Sequence, residues 1–207
     1  MNELTAREEA LALMQAKEAR PVHVLHVAQL TLQLFDQLAT LHGLGGPERL
    51  FLEAAAWLHD IGHQVPASTE GHHKESARLI REHPWVNFDL REVELIAQVA
   101  RYHRKNIPEV AHDEFRARPE WDRRIIQHLA ALLRLADSFD RTHAQLVRSV
   151  RVELPVNRIL FHLETTGPVL REVRAARQKG DLASLVFQRD LIFLSNGVEF
   201  VTLDEPG

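Results

Sequence analysis

The 207-residue sequence contains no cysteine. That absence excludes disulfides, thiolate-bound metals and cysteine nucleophiles together. It agrees with a reducing compartment. No apolar run approaches the roughly 20 residues needed to span a bilayer. Met1-Asn2-Glu3-Leu4 has neither the basic nor the apolar region of a signal peptide. A cytoplasmic protein with no membrane partner is the expectation. Positive charge is not in excess: the net charge is -4, which argues against broad binding to a nucleic-acid backbone and leaves only local basic clusters for a small anion. Aromatics are scarce, with a single tyrosine set against 13 histidines. Imidazole is largely deprotonated at neutral pH and suits metal binding, so the positions of these histidines matter more than their number.

What is present reads mostly as helix. Leu4 to Ala19 is rich in Ala, Glu and Leu at helical spacing. Pro21 suits a first helical turn, and Val22 to Leu41 continues with Val24, Val27, Leu30, Leu34 and Leu38. Gly43, Gly45, Gly46 and Pro47 interrupt, and Glu48 to His59 resumes. His72 to His83 is a further helix ended by Pro84, and Asp89 is placed to cap Leu90 to Tyr102. Trp121 to Leu146 is long enough for seven turns. After Ser149 the pattern alternates: 150–154 and 158–163 around Pro155-Val156-Asn157 read as a hairpin. Leu170 to Gln178 and Asp181 to Phe187 return to helix, and 191–194 suggests a third strand. The expected fold is mainly α: a helical bundle over residues 1–148, with a small α+β extension over 149–207 that carries a short antiparallel sheet and packs on the bundle.

The chemistry lies in a set of His and Asp residues on successive helices. His59-Asp60 follows Ala54-Ala55-Ala56-Trp57-Leu58, with Gly62 placed to end the helix. His23 lies on the second helix, His72 and His73 open another, and His103 ends the next. Asp137 sits among Leu133, Leu135 and Ala136, where an unpaired buried carboxylate is costly and a cation would neutralise it. Singly, each reads as a surface, capping or paired residue: Asp137 could pair with Arg134 or Arg141. His26 and His63 read better as supporting or surface residues than as ligands. The ordered series His, His-Asp, His, His, Asp is what points to a metal site.

With these residues the chain resembles the HD superfamily of metal-dependent phosphohydrolases, whose signature matches His23, His59, Asp60 and Asp137. The family pattern prefers His23 to His26, because Val27 and Ala28 stand four and five residues after it. Some members add two histidines for a second metal; His72 before Ser76-Ala77 fits, with His73 the competitor, and His103 supplies the other. More narrowly, the chain is similar to the C-terminal HD domain of exopolyphosphatase/guanosine pentaphosphatase (Ppx/GppA) enzymes. The segments that carry this likeness are 23–38, 54–62, His72-His73-Lys74-Glu75-Ser76-Ala77, Arg101-Tyr102-His103-Arg104-Lys105 and 132–141. It extends over most of residues 20 to 195. Glu75 departs from a common His, and the actin-like ATPase-type region of the full-length enzymes is not found, so polyphosphatase activity is not carried over.

The resemblance implies a bundle around two divalent cations bridged by Asp60, and all-N/O ligation suits Mn, Fe, Co, Ni, Mg or Zn. The cations would activate a water towards phosphorus, with Asp60 orienting or deprotonating it. Arg104, Lys105, Arg141 and His63 are the candidates for contact with substrate; Arg binds phosphate through parallel hydrogen bonds. The expected partner is a small phosphorylated substrate of nucleotide type. The alternative is a non-catalytic metal- or nucleotide-binding regulatory module. The extension would either complete the pocket or form a homodimer contact.

Overall fold

The computed structural model describes residues 3–64 and 71–199. Met1, Asn2 and the end of the extension, 200–207, lie outside the described residues. The chain runs through α1 (Glu3–Lys17), α2 (Pro21–Gln37), α3 (Ala39–His42) and α4 (Gly46–Leu58), then a 3-10 turn (Ile61–Gln64). Next come α5 (His72–Glu82), α6 (Leu90–Arg101), α7 (Asp113–Arg116) and α8 (Glu120–Phe139). The remainder is β1 (Val147–Glu153), β2 (Arg158–Thr165), α9 (Leu170–Lys179), α10 (Asp181–Phe187), β3 (Asp190–Ser195) and β4 (Val198–Glu199). The mainly α reading holds, and no described helix is long and apolar enough to cross a membrane.

α4 and α8 form the centre. Every residue from Leu50 to Leu58 is buried, as is nearly all of α8 from Ile125 to Phe139. α4 packs against α1, α2, α6 and α8, and Ala54, Ala55 and Ala56 present no side-chain bulk to those neighbours. A helix buried on all sides delivers its C-terminal residues, His59 and Asp60, into the interior. The Asp89 cap is as expected: its side chain accepts from Glu92 N at 2.8 Å, and Glu92 Oε2 accepts from Asp89 N at 2.9 Å.

Three boundaries depart from the sequence reading. The helix expected over 22–41 breaks at Leu38, because His42 Nε2 donates to Phe35 O at 2.8 Å, the carbonyl that a continuing helix would offer to residue 39. The helix expected to reach Leu146 stops at Phe139. Asp140 turns away, accepting from Gln145 N at 2.8 Å and from His23 Nδ1 at 2.8 Å, and a long-range contact thus overrides local propensity. Gly62 is not a left-handed helix terminus. It lies in the 3-10 turn against α5, where a Cβ would meet His72 O at 2.4 Å, Ser76 N at 2.6 Å and Glu75 Cβ at 2.9 Å.

The extension carries a four-stranded sheet in the order β1-β2-β3-β4. The hairpin β1-β2 is antiparallel and turns at Asn157, which takes the left-handed φ of 61° open to Asn. β2 and β3 are parallel, so the sheet is mixed, with α9 and α10 supplying the crossover that parallel strands require. Ile159, Phe161 and Leu163 of β2 bury one face. Phe161 stacks on Phe193 (5.2 Å), and both meet Phe139 at the end of α8 (6.3 and 6.1 Å). The free edge of β1 is closed by α2: Gln33 and Gln37 accept from Val150 N and Val152 N at 2.9 and 2.8 Å.

Candidate metal centre

The histidines are oriented by the backbone around them. His59 Nδ1 donates to Ala56 O at 2.7 Å, and His103 Nδ1 donates to Ala100 O at 2.6 Å. A ring whose Nδ1 carries the proton presents a bare lone pair on Nε2. Both Nε2 atoms point to Asp60 Oδ1, at 3.7 Å for His59 and 3.6 Å for His103. His72 Nε2 stands 3.4 Å from the same oxygen and 3.4 Å from His103 Nε2. His23 Nε2 faces Asp137 Oδ1 at 3.4 Å and Asp60 Oδ2 at 4.0 Å, while its Nδ1 is held by Asp140. Asp137 Oδ1 also lies 3.9 Å from His59 Nε2.

These separations fit cations. Two ligands each about 2.1 Å from one ion stand roughly 3.0–3.4 Å apart, for octahedral and tetrahedral angles respectively. Two groups of candidate ligand atoms come together, each within 4.8 Å of one another: His23, His59 and Asp60, and Asp60, His72 and His103. Asp60 belongs to both. His59 Nε2 is fully buried and has no hydrogen-bond partner among the described residues, a lone pair that a cation could fill. The Asp140–His23 bond is the outer carboxylate that commonly fixes a ligating imidazole.

Electrostatics follow from burial. His72 is pushed down to about 3 by burial despite the Asp60 carboxylate, and His103 falls well below its ordinary range by burial and by His59. His23 goes the other way: burial opposes its charge, but the hydrogen bonds to Asp137 and Asp140 raise it to about 9. Burial works against ionisation of Asp60, yet His59 and His103 hold it below the usual carboxylate range. Asp137 is likewise held down against its burial by Lys179, whose ammonium donates to Oδ2, and by His23.

Asp60, His72, His103 and Asp137 line a cavity of about 540 Å³, within the range of small-molecule sites, while the buried His23 and His59 are not among its walls. Arg104, Lys105, Arg141 and His63 all line it. His63 stacks on His72 with ring centres 3.5 Å apart, and Arg104 Nη1 lies 3.2 Å from both His72 nitrogens. His73 is not brought into the cluster: its ring centre is 6.5 Å from that of His103, and its Nδ1 is buried without a partner. His26 turns to the sheet, where Nε2 meets Val147 O at 2.9 Å. Of the two pairs of alternatives, His23 and His72 are the ones that lie in the cluster.

Several residues of the site escaped the sequence reading. Asp140 stands three residues after Asp137 and Arg20 three before His23, a spacing of one turn that could have flagged both. Arg20 Nη2 donates to Asp60 Oδ2 at 2.8 Å, and Arg20 N donates to Glu18 Oε1 at 2.7 Å. His143 stacks on His23 with ring centres 3.9 Å apart. Lys179 and Asp181, at the junction of α9 and α10, carry no local signal. Arg134, read as a possible partner of Asp137, is instead a buried clasp. It donates to Tyr102 O, Lys105 O and Lys179 O, each at 3.2 Å, and to Asp181 Oδ1 at 2.8 Å. It thereby fixes Lys105, whose φ of 60° is left-handed.

A helical bundle with a buried His/Asp cluster beneath a cation-lined cavity defines the class of domain that the HD resemblance implies. A family model makes it specific: Ppx/GppA phosphatase, domain III, matches residues 9–179, and the chain belongs to that family. No curated protein matches the chain.

Proposed function

We propose that the chain is a metal-dependent phosphohydrolase acting on a nucleotide or another small phosphate ester or anhydride. The observation that carries this is the bare, buried Nε2 of His59 set beside the Asp60 carboxylate, whose Oδ1 is approached by His59, His63, His72 and His103 and which lines a cavity rich in Arg and Lys. His23, His59, Asp60 and Asp137 would hold one divalent cation, and Asp60, His72 and His103 a second. Mn, Fe, Co, Ni, Mg and Zn all suit such ligands. When bound, the cations supply Lewis acidity, lowering the pKa of water and neutralising phosphoryl charge.

The protein's own part is positioning. Arg20 holds Asp60 by Oδ2, which leaves Oδ1 turned to the histidines and available to orient a water or take its proton. Arg104, Lys105 and Arg141 grip the non-reacting phosphoryl oxygens, and His63, on the open side of His72, touches the leaving portion. The test is hydrolysis of a nucleotide and a generic phosphodiester by the manganese-loaded chain. Asp60→Ala should abolish it, and activity that survives this substitution would refute the mechanism.

Lys179 favours a second reading. Its ammonium already neutralises Asp137, as would suit a binding module that dispenses with a metal. Such a module would bind anions without turnover and retain no metal through purification.

A further inference from the structure

A second cavity of about 470 Å³ lies on the other side of Arg104 and Lys105. Its walls also include Lys74, which has a further contact of its own, and Arg101, so four basic side chains line one space, and among the described residues no carboxylate lines it. Arg101 is shared with Glu114 outside. His73, only 6% exposed, forms part of the wall, and its Nδ1 is buried without a hydrogen-bond partner among the described residues. The Tyr102 hydroxyl, bonded to His112 Nδ1 at 3.0 Å, adds a further polar group. The metal cavity differs in carrying Asp60, Asp137 and Asp181, which repel an anion unless cations are bound.

We propose that this second cavity is a separate, metal-independent binding site for a phosphate-type oxyanion, either inorganic phosphate or the phosphate of a monoester. The hydrolytic reading is not needed for it. The two cavities communicate through their common wall. Arg104 Nη1 rests 3.2 Å from both nitrogens of His72, so an anion behind it draws the guanidinium off that ring and changes the charge beside the cluster.

The test is calorimetric titration of the chelator-treated full chain with inorganic phosphate and, separately, with adenosine monophosphate. One site per chain is expected for at least one of them, and their relative affinities identify the free or the esterified source. Asn106→Asp places a carboxylate on the cavity wall at an exposed position. It should weaken binding about tenfold or more, the effect of a unit charge a few ångströms from a dianion. Arg141→Ala, which alters only the metal cavity, should leave the affinity unchanged. Absence of binding by both ligands, indifference to Asn106→Asp, or loss on Arg141→Ala would each overturn the proposal.

Discussion

Gly62→Ala probes the joint on which the two halves of the cluster depend. The added methyl would stand 2.4 Å from His72 O and 2.6 Å from Ser76 N, both backbone atoms, and 2.9 Å from Glu75 Cβ. No rotamer change relieves two backbone contacts, so the 3-10 turn and α5 must part. Gly62 N also donates to Ser76 Oγ at 3.0 Å, a bond that separation stretches. Overpacking of this kind costs about 1–3 kcal/mol, and rigid neighbours place this case near the upper end, about 3 kcal/mol. For a chain of this length that lowers Tm by about 6–12 °C. The same displacement moves His72 from Asp60, so on the two-metal proposal the Asp60–His72–His103 group should no longer hold an ion while the His23–His59–Asp60 group still does. Thermal unfolding by circular dichroism reads the first effect, and metal stoichiometry the second. A Tm within about 2 °C of the parent with full metal content would refute the reasoning.

Other outcomes follow from the same geometry. In the metal-free chain, His23 is raised to about 9, so its stabilisation is complete below pH 6.5 and disappears as pH climbs through 9. That amounts to about 3 kcal/mol. His72 is lowered to about 3, so below pH 6.5 the unfolded chain takes a proton that the folded chain refuses. Tm measured across pH should peak near 6.5, and a flat profile would count against both assignments. Arg134→Met leaves three carbonyls unpaired and frees Lys105, and should lower stability by about 3 kcal/mol in urea unfolding; an unchanged midpoint would show that the clasp is dispensable. Lys179→Met removes the ammonium that a cation must displace from Asp137. The rise in Tm on adding manganese should be larger than in the parent, and an equal or smaller rise would contradict competition.

The parts legible in the sequence were those set by local rules. The Asp89 cap and the hairpin at Asn157 depend on neighbours along the chain and stand where the pattern places them, and helical periodicity places the helices but not the ends of α2 and α8. The His and Asp residues were visible because they stand on successive helices in a recognisable order, and the structure brings His23, His59, Asp60, His72, His103 and Asp137 into one cluster, of which Asp60, His72, His103 and Asp137 line the cavity. What was illegible came from distant contacts. Asp140 ends α8 by bonding His23, more than a hundred residues earlier in the chain, and His42 breaks α2 by folding back on Phe35. Arg134 reads as an ordinary helix cation until α6, α9 and α10 are packed around it. Gly62 reads as a helix stop, while its real constraint, the approach of α5, has no trace within its own segment.

Elemental analysis of the chain as purified, set beside its His59→Ala variant, tests the central claim most directly. The account predicts one to two divalent transition-metal ions per chain and a clear loss in the variant, because the bare Nε2 of His59 has no other partner among the described residues. A parent chain that carries no metal and takes up none from manganese, iron or zinc solutions would contradict it.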